Sequence, residues 1–212
     1  MRFITQKNRS ILREMVSTDF KVRYQGSVLG YAWSVLRPLF LFIILYIVFV
    51  KFLRIGGDIP HFPVYLLMGI VLWTFFTEAT SQAMTSVVAR GDLIKKISIP
   101  RYLVVASSSF SALINLGLNL IILLIIALIN GVRPMESWLL LPFIILELFV
   151  LATALGFFLS ALFVKYRDAS YVLEVLLQAG FYATPISYPI TIVAAKYQKL
   201  LMLNPMAQIV QD

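Results

Sequence analysis

Apolar residues at helical spacing begin the chain, and five long apolar stretches follow. The first segment carries Arg13, Ser17 and Lys21 on one helical face, with the opposite face formed by Ile11, Leu12, Met15, Val16 and Phe20. This pattern predicts an amphipathic helix that lies in a membrane interface. A transmembrane helix needs about 20 mostly apolar residues, and the stretches that qualify are 35–53, 62–80, 103–129, 138–164 and 171–190.

The connection between the amphipathic helix and the first span contains residues typical of a turn at a membrane surface. Gly26 and Gly30 interrupt the helix, and Tyr31 and Trp33 are aromatic residues of the kind enriched at interfaces. Pro38 is expected in the first turn of the following helix, where its missing N–H costs little. The predicted fold is an all-α, polytopic transmembrane helical bundle with an N-terminal interfacial helix and five visible spans.

Composition supports a membrane protein and excludes several kinds of chemistry. Hydrophobic residues make up 60% of the chain, against roughly 45–50% in ordinary soluble domains. The chain has no cysteine and a single histidine, His61, so disulfides, cysteine nucleophiles and histidine or thiolate metal clusters are excluded. The first residues are too polar for a signal peptide.

The distribution of basic residues predicts the orientation of the chain. A net charge of +8 would suggest nucleic acid in a soluble protein, but in a membrane protein the sidedness of Lys and Arg is more informative. A cytoplasmic N-terminus places 13 of the 18 basic residues inside and five outside. We therefore expect this orientation, and no nucleic-acid partner.

The predicted cytoplasmic loop 82–102 is basic and contains a short apolar pattern. Asp92 is suited to cap a helix and Pro100 to start the next span. The pattern fits a short amphipathic helix, although a solvated loop that obeys the positive-inside rule would look similar.

Polar residues within the apolar stretches need partners. One side of the third stretch carries Ser108, Ser111, Asn115 and Asn119, which either line a path or join helices through hydrogen bonds. The fourth stretch has a small-residue face, predicted to pack closely: Ala152, Gly156 and Ser160.

Acidic residues in these stretches are costly to insert. Glu147, near the middle of the fourth stretch, should face protein, water or a partner, because an ionised carboxylate there costs at least about 2.5 kcal/mol. Glu78 is expected to pair with a nearby base such as Arg101, Lys165 or Arg167.

The run from Phe20 to Trp33, followed by Arg37-Pro38 and later by Asn204-Pro205, resembles the permease subunits of ABC-2-type transporters that export lipid-linked polysaccharides such as O-antigen, capsule and teichoic acid. The resemblance covers the whole chain. It implies a homodimer in the bacterial inner membrane, driven by two separate ATP-binding subunits that hold ATP and Mg²⁺, with no cofactor in this chain. It also implies one more helix after Asn204-Pro205, six spans in all, so we expect the native C-terminus to lie beyond this sequence.

The resemblance also implies roles for particular residues. Residues 1–34 would form a gate-like helix and ramp, residues 35–190 the transmembrane domain, and residues 191–212 an external re-entrant segment. The loop 82–102 would hold a helix that couples to the ATPase, through Arg90, Asp92, Leu93, Ile94, Lys95, Lys96 and Ile97. The substrate entrance would use Arg23, Tyr24, Tyr31, Trp33 and Arg37, with Arg23 and Arg37 meeting a lipid pyrophosphate, and candidate channel-lining residues are Ser108, Ser111, Asn115, Asn119 and Glu147.

The chain lacks the Gly-rich phosphate-binding motif of P-loop ATPases, so we expect a permease subunit rather than an enzyme. A secondary transporter is the alternative, but it would favour internal repeats and several intramembrane ionisable residues. A membrane scaffold without transport is a third. Export of teichoic acid, another lipid or a drug by a related permease stays open.

Overall fold

The computed structural model describes residues 6–54, 60–97, 99–133 and 136–211, without the side chains of residues 20, 24, 97, 137, 195, 200 and 211. The predicted roles of the Tyr24 and Ile97 side chains therefore lie outside the described residues. None of the described residues is in a β-strand. The α-helices are α1 (Gln6–Tyr24), α2 (Trp33–Tyr46), α3 (Phe62–Ala89), α4 (Gly91–Ile97), α5 (Arg101–Ile129), α6 (Leu141–Lys165), α7 (Ala169–Ala183), α8 (Ala195–Leu201) and α9 (Pro205–Gln211).

Four helical segments in the described ranges are long and apolar enough to cross a membrane, in agreement with the predicted all-α transmembrane bundle. They are Gly30–Phe52, Phe62–Ala89, Arg101–Ile129 and Trp138–Lys165. The first comprises a 3₁₀ turn (Gly30–Ala32), α2 and a π-helical end (Ile47–Phe52). These segments identify a multi-pass membrane protein.

The fifth predicted span, 171–190, is wrong in length. Its helix, α7, has 15 residues and is about 22 Å long, short of the roughly 30 Å hydrocarbon core. Thr184 is extended, as a residue before proline prefers to be. Pro185 therefore ends the helix, and residues 184–187 are buried.

The buried segment after α7 packs against the beginning of α3. The Tyr65 hydroxyl donates to the carbonyl of Pro185 at 2.5 Å, and Asn204 donates through Nδ2 to Thr184 Oγ1 at 3.1 Å. Ile186 is fully buried against Gly69. Irregular backbone at membrane depth needs this kind of protein shelter, so the loss of helix here is compensated by contacts.

α3 is the centre of the bundle, and the small-residue face of α6 packs against it as predicted. Ala152, Gly156 and Ser160 are all buried. A Cβ added at Gly156 would lie 2.5 Å from the Cβ of Ala83, a distance that real side chains do not reach. Glycine therefore sets how closely α3 and α6 approach.

The first part of the apolar face of α1 packs against other helices of the chain. Met15 is buried with Leu103 and Val104 of α5, and Ile11, Leu12 and Ile94 pack around them. Asn8 near the beginning of α1 also donates to the hydroxyl of Tyr102 at 2.9 Å. The prediction of an amphipathic helix is confirmed, but the apolar surface beneath it belongs to α5 and α4.

Pro38 lies inside α2, as its sixth residue, and not in the first turn as predicted. Proline has no N–H, so it cannot donate to the carbonyl of Ser34, four residues earlier. The structure supplies another donor, because Asn119 Nδ2 lies 3.1 Å from that carbonyl oxygen. A side chain of α5 thus replaces a backbone hydrogen bond that α2 cannot make.

Candidate functional site

Glu78 of α3 is the acceptor at the centre of a polar cluster that joins three helices. Its Oε1 accepts from Arg23 of α1, from Asn115 Nδ2 of α5 at 2.7 Å and from Gln82 Nε2 at 2.9 Å. Arg23 also donates to Gln82 Oε1. The expected pairing of Glu78 with Arg101, Lys165 or Arg167 is wrong, because α1 packs along α5 and its last turn brings Arg23 to the carboxylate.

A second ion pair lies one helical turn away on α1. Asp19 accepts from Arg90, the residue between α3 and α4, and Arg90 also donates to Ser107 Oγ at 2.9 Å. Both side chains are largely buried. Arg90 therefore joins α1 and α5 at the position where the chain enters α4.

The predicted entrance residues do not share one environment. Arg23 donates hydrogen bonds to Glu78 and Gln82. Tyr31, in the segment between α1 and α2, and Trp33 and Arg37 of α2 are instead exposed. Gly26 and Gly30 have positive φ, as a chain reversal between α1 and α2 requires. Of the two arginines expected to meet a pyrophosphate, only Arg37 presents an exposed guanidinium in this structure.

The polar stripe of α5 is buried inside the chain. Asn115 donates to Glu78, Asn119 to the Ser34 carbonyl and to the Asn115 carbonyl, and Ser108 and Ser111 donate to carbonyls of their own helix. The asparagine bonds to Glu78 and Ser34 favour the helix-joining role that the sequence left open beside channel lining, whereas the serine bonds stay within α5.

The short helix predicted in loop 82–102 forms as α4, with two different sides. Asp92, Leu93, Lys95 and Lys96 are exposed, and Asp92 lies in the first turn, where a carboxylate is favoured by the helix dipole. Ile94 instead packs towards Met15 and Leu103. The exposed side of α4 therefore consists of one leucine among charged residues.

Glu147 lies on the exposed face of α6, as its seventh residue. Phe143, Leu146 and Val150 on the same face are also exposed. In the membrane this carboxylate faces lipid, water or another protein, since protein within the described part of this chain does not cover it.

Sequence reasoning missed Asp19, Gln82 and Ser107, and it gave Glu78 the wrong partner. Asp19 and Arg23 are four residues apart, so one face of α1 carries both charges of opposite sign. That spacing was a usable signal that this face meets charged partners. Among the described residues no group of acidic and histidine side chains is arranged to hold a metal ion.

Comparison with known proteins places this arrangement in a family. Residues 12–211 match the ABC-2 type transporter family. The chain is 29% identical to the O-antigen export system permease protein RfbA of Myxococcus xanthus, over 95% of this chain and 77% of that protein. It is 27% identical to the permease of the same name from Klebsiella pneumoniae, over 94% and 77%, and 23% identical to the polysialic acid transport protein KpsM of Escherichia coli, over 91% and 75%. The match over nearly all of the sequence shows that this chain belongs to the ABC-2 type transporter family of membrane proteins.

Proposed function

We propose that this chain is the permease subunit of an ABC exporter that moves a lipid-linked polysaccharide from the cytoplasmic to the external side of the bacterial inner membrane. Relatives named for O-antigen export and for polysialic acid transport support a polysaccharide cargo. The chain lacks a P-loop, so hydrolysis of ATP with Mg²⁺ takes place on a separate subunit.

The observation that carries the proposal is the two-sided environment of α4. Ile94 attaches α4 to α1 and α5, and Arg90 just before it holds Asp19 and Ser107. On the other side Leu93 is 37% exposed between exposed Asp92 and Lys95. A short helix of this kind suits docking to a soluble ATP-binding subunit. One side is attached to the membrane helices, and the other exposes a leucine among charged residues.

The functional unit is a homodimer with its N-termini in the cytoplasm. The asymmetry of basic residues supports this orientation. The apolar surface of α2 supports the dimer, because only 6% of the first span is buried within one chain and a second copy or lipid must cover the rest. Arg37, Tyr31 and Trp33 then stand beside the cytoplasmic entrance for the lipid carrier.

The first experiment is to co-express the full-length permease with its ATP-binding subunit, reconstitute both in nanodiscs and record ATPase activity with and without a lipid-linked polysaccharide. Stable association and stimulated hydrolysis are expected. Failure of any ATPase subunit to associate would favour a secondary transporter, and stimulation by a teichoic acid precursor, another lipid or a drug alone would change the substrate class.

A variant pair tests the role of α4. Leu93→Asp should weaken association and uncouple hydrolysis from export, because it places a charge in the docking contact. Ile94 is a poor choice for this purpose, since its substitution would also disturb the packing of α1. Leu203→Asp is the matched control, being an exposed leucine between α8 and α9 and outside the four spans. Equal behaviour of the two variants would contradict the docking role.

A further inference from the structure

A basic cleft lies between α1, α5 and the segment 25–32 that connects α1 to α2. It is on the side of α1 that faces away from Asp19 and Arg23. It has a volume of about 360 Å³, and its lining residues are Arg13, Val16, Ser17, Lys21, Tyr31 and Ile114. This volume lies at the small end of the range of about 300–1,000 Å³ found for ligand sites. The cleft is separate from the Glu78 cluster and from α4.

The helical period of α1 explains why these side chains converge. Arg13, Ser17 and Lys21 recur at every fourth residue and so lie along one face. Tyr31 reaches the same cleft because the chain reverses through Gly26 and Gly30, both with positive φ. The cleft thus has a polar, cationic wall from α1 and an apolar wall that includes Ile114 of α5.

The positive charge in the cleft is not balanced within the described part of the chain. The acids nearest in the polar network, Asp19 and Glu78, are paired with Arg90 and Arg23. Arg13 and Lys21 are exposed and form no ion pair with any described residue. Glu14 is exposed on α1 and does not line the cleft. Two cationic side chains and a hydroxyl therefore face the same space.

We propose that this cleft binds the phosphate of a phosphate-bearing lipid. An arginine fork, a lysine ammonium and a serine hydroxyl are all donors suited to phosphate oxygens. Val16, Ile114 and the Tyr31 ring provide an apolar surface for the first carbons of the attached chain. Both candidate ligands carry a phosphate on a hydrocarbon chain. One is a bilayer phospholipid, and the other, which rests on the proposed function, is the lipid carrier of the exported glycan.

The test measures lipid binding by the full-length, detergent-purified chain without the ATPase subunit, so that it does not depend on export. Probes are phosphatidylglycerol against diacylglycerol, and farnesyl diphosphate against farnesol. The double variant R13Q/K21Q should bind both phosphate-bearing probes at least tenfold more weakly, whereas the charge-matched K7Q/R9Q on the same helix should bind them like the parent. R13K should retain most of the affinity for both probes.

The relative affinities identify the source. Tighter binding of phosphatidylglycerol assigns the cleft to a structural phospholipid, and tighter binding of farnesyl diphosphate assigns it to the carrier. The inference is overturned if the phosphate-free partners bind as well, if the two double variants lose affinity equally, or if neither loses any. It is also overturned if neither phosphate-bearing probe binds the parent chain. Loss of the ATPase subunit from R13Q/K21Q in a separate co-purification would then make the basic face a protein interface. Phosphate-dependent lipid binding that R13Q/K21Q loses, in a parent chain that exports no polysaccharide with its ATPase subunit, would count against the proposed function alone.

Discussion

The second and third helices look similar in sequence and have opposite environments. Both lie in long apolar stretches, yet 61% of the α3 span is buried within the chain and only 6% of the span that contains α2. The more buried helix is also the more polar, since Glu78, Thr80, Gln82 and Ser86 belong to α3.

This difference in burial follows from the fact that lipid, and not water, surrounds the helices. Lipid is as apolar as leucine, so hydrophobicity does not select which helix is buried. Polar groups determine which helix is buried, because their hydrogen-bond partners lie within the protein and not in the lipid. α3 is therefore held centrally by its polar and small residues, whereas α2 is free to present phenylalanine and isoleucine outward.

The largest expected effect contrasts one phenylalanine on each helix. Phe75 of α3 is 2% exposed and Phe40 of α2 is 53% exposed. Phe75→Ala should destabilise the chain by about 3–5 kcal/mol through the cavity that it leaves, while Phe40→Ala should cost less than about 1 kcal/mol. Reversible unfolding in mixed SDS micelles measures both. A cost for Phe40→Ala that grows with protein concentration would show that a second copy covers α2.

The next effect tests close packing against α3. Gly156→Ala places a methyl group against Ala83 and should cost about 2–3 kcal/mol, within the range found for overpacked sites. Gly117→Ala in α5 is the control, because nothing lies within 4 Å of its added Cβ. Adding Ala83→Gly to the first variant should recover part of the loss in the same unfolding measurement. No recovery would place the damage elsewhere.

The Glu78 cluster tests whether polar contacts hold the last turn of α1 beside α3 and α5. Glu78→Gln leaves Arg23 without its counter-charge, and the pair is only about three-quarters buried. We therefore expect a loss of about 1–3 kcal/mol, below the roughly 3–5 kcal/mol typical of fully buried pairs. Hydrogen exchange should become faster throughout α1. Arg23→Gln together with Glu78→Gln should cost less than the sum of the single changes; additive costs would argue against a direct pair.

The smallest effect concerns the polar attachment of α2. Asn119→Leu removes the donor to the Ser34 carbonyl and should cost about 1–2 kcal/mol. In a Pro38→Ala background the restored N–H at position 38 supplies that carbonyl, so the same change should cost less. Asn130→Leu is the control, because Asn130 is exposed and its side chain donates to the Ile126 carbonyl of the helix that it follows. Equal costs of Asn119→Leu in both backgrounds would contradict the replacement of one donor by the other.

Local patterns in the sequence predicted several features correctly. The apolar stretches predicted a helical membrane bundle, and the helical spacing of apolar residues in 11–20 predicted an amphipathic helix. The spacing of Ala152, Gly156 and Ser160 predicted a packing face. Each depends on residues within a few turns of one another, where helical geometry alone determines which side chains share a face.

Tertiary structure decided the partners. Nothing near Glu78 in sequence indicates Arg23, 55 positions away, and nothing near Pro38 indicates that Asn119 supplies the missing donor. The pairing of Asp19 with Arg90 and the convergence of Arg13, Lys21 and Tyr31 on one cleft have the same origin. Hydropathy specifies that a segment is apolar enough to enter the membrane, but lipid does not distinguish one apolar face from another. Only the three-dimensional arrangement of polar and small groups determines which helices meet and where a charged cleft forms.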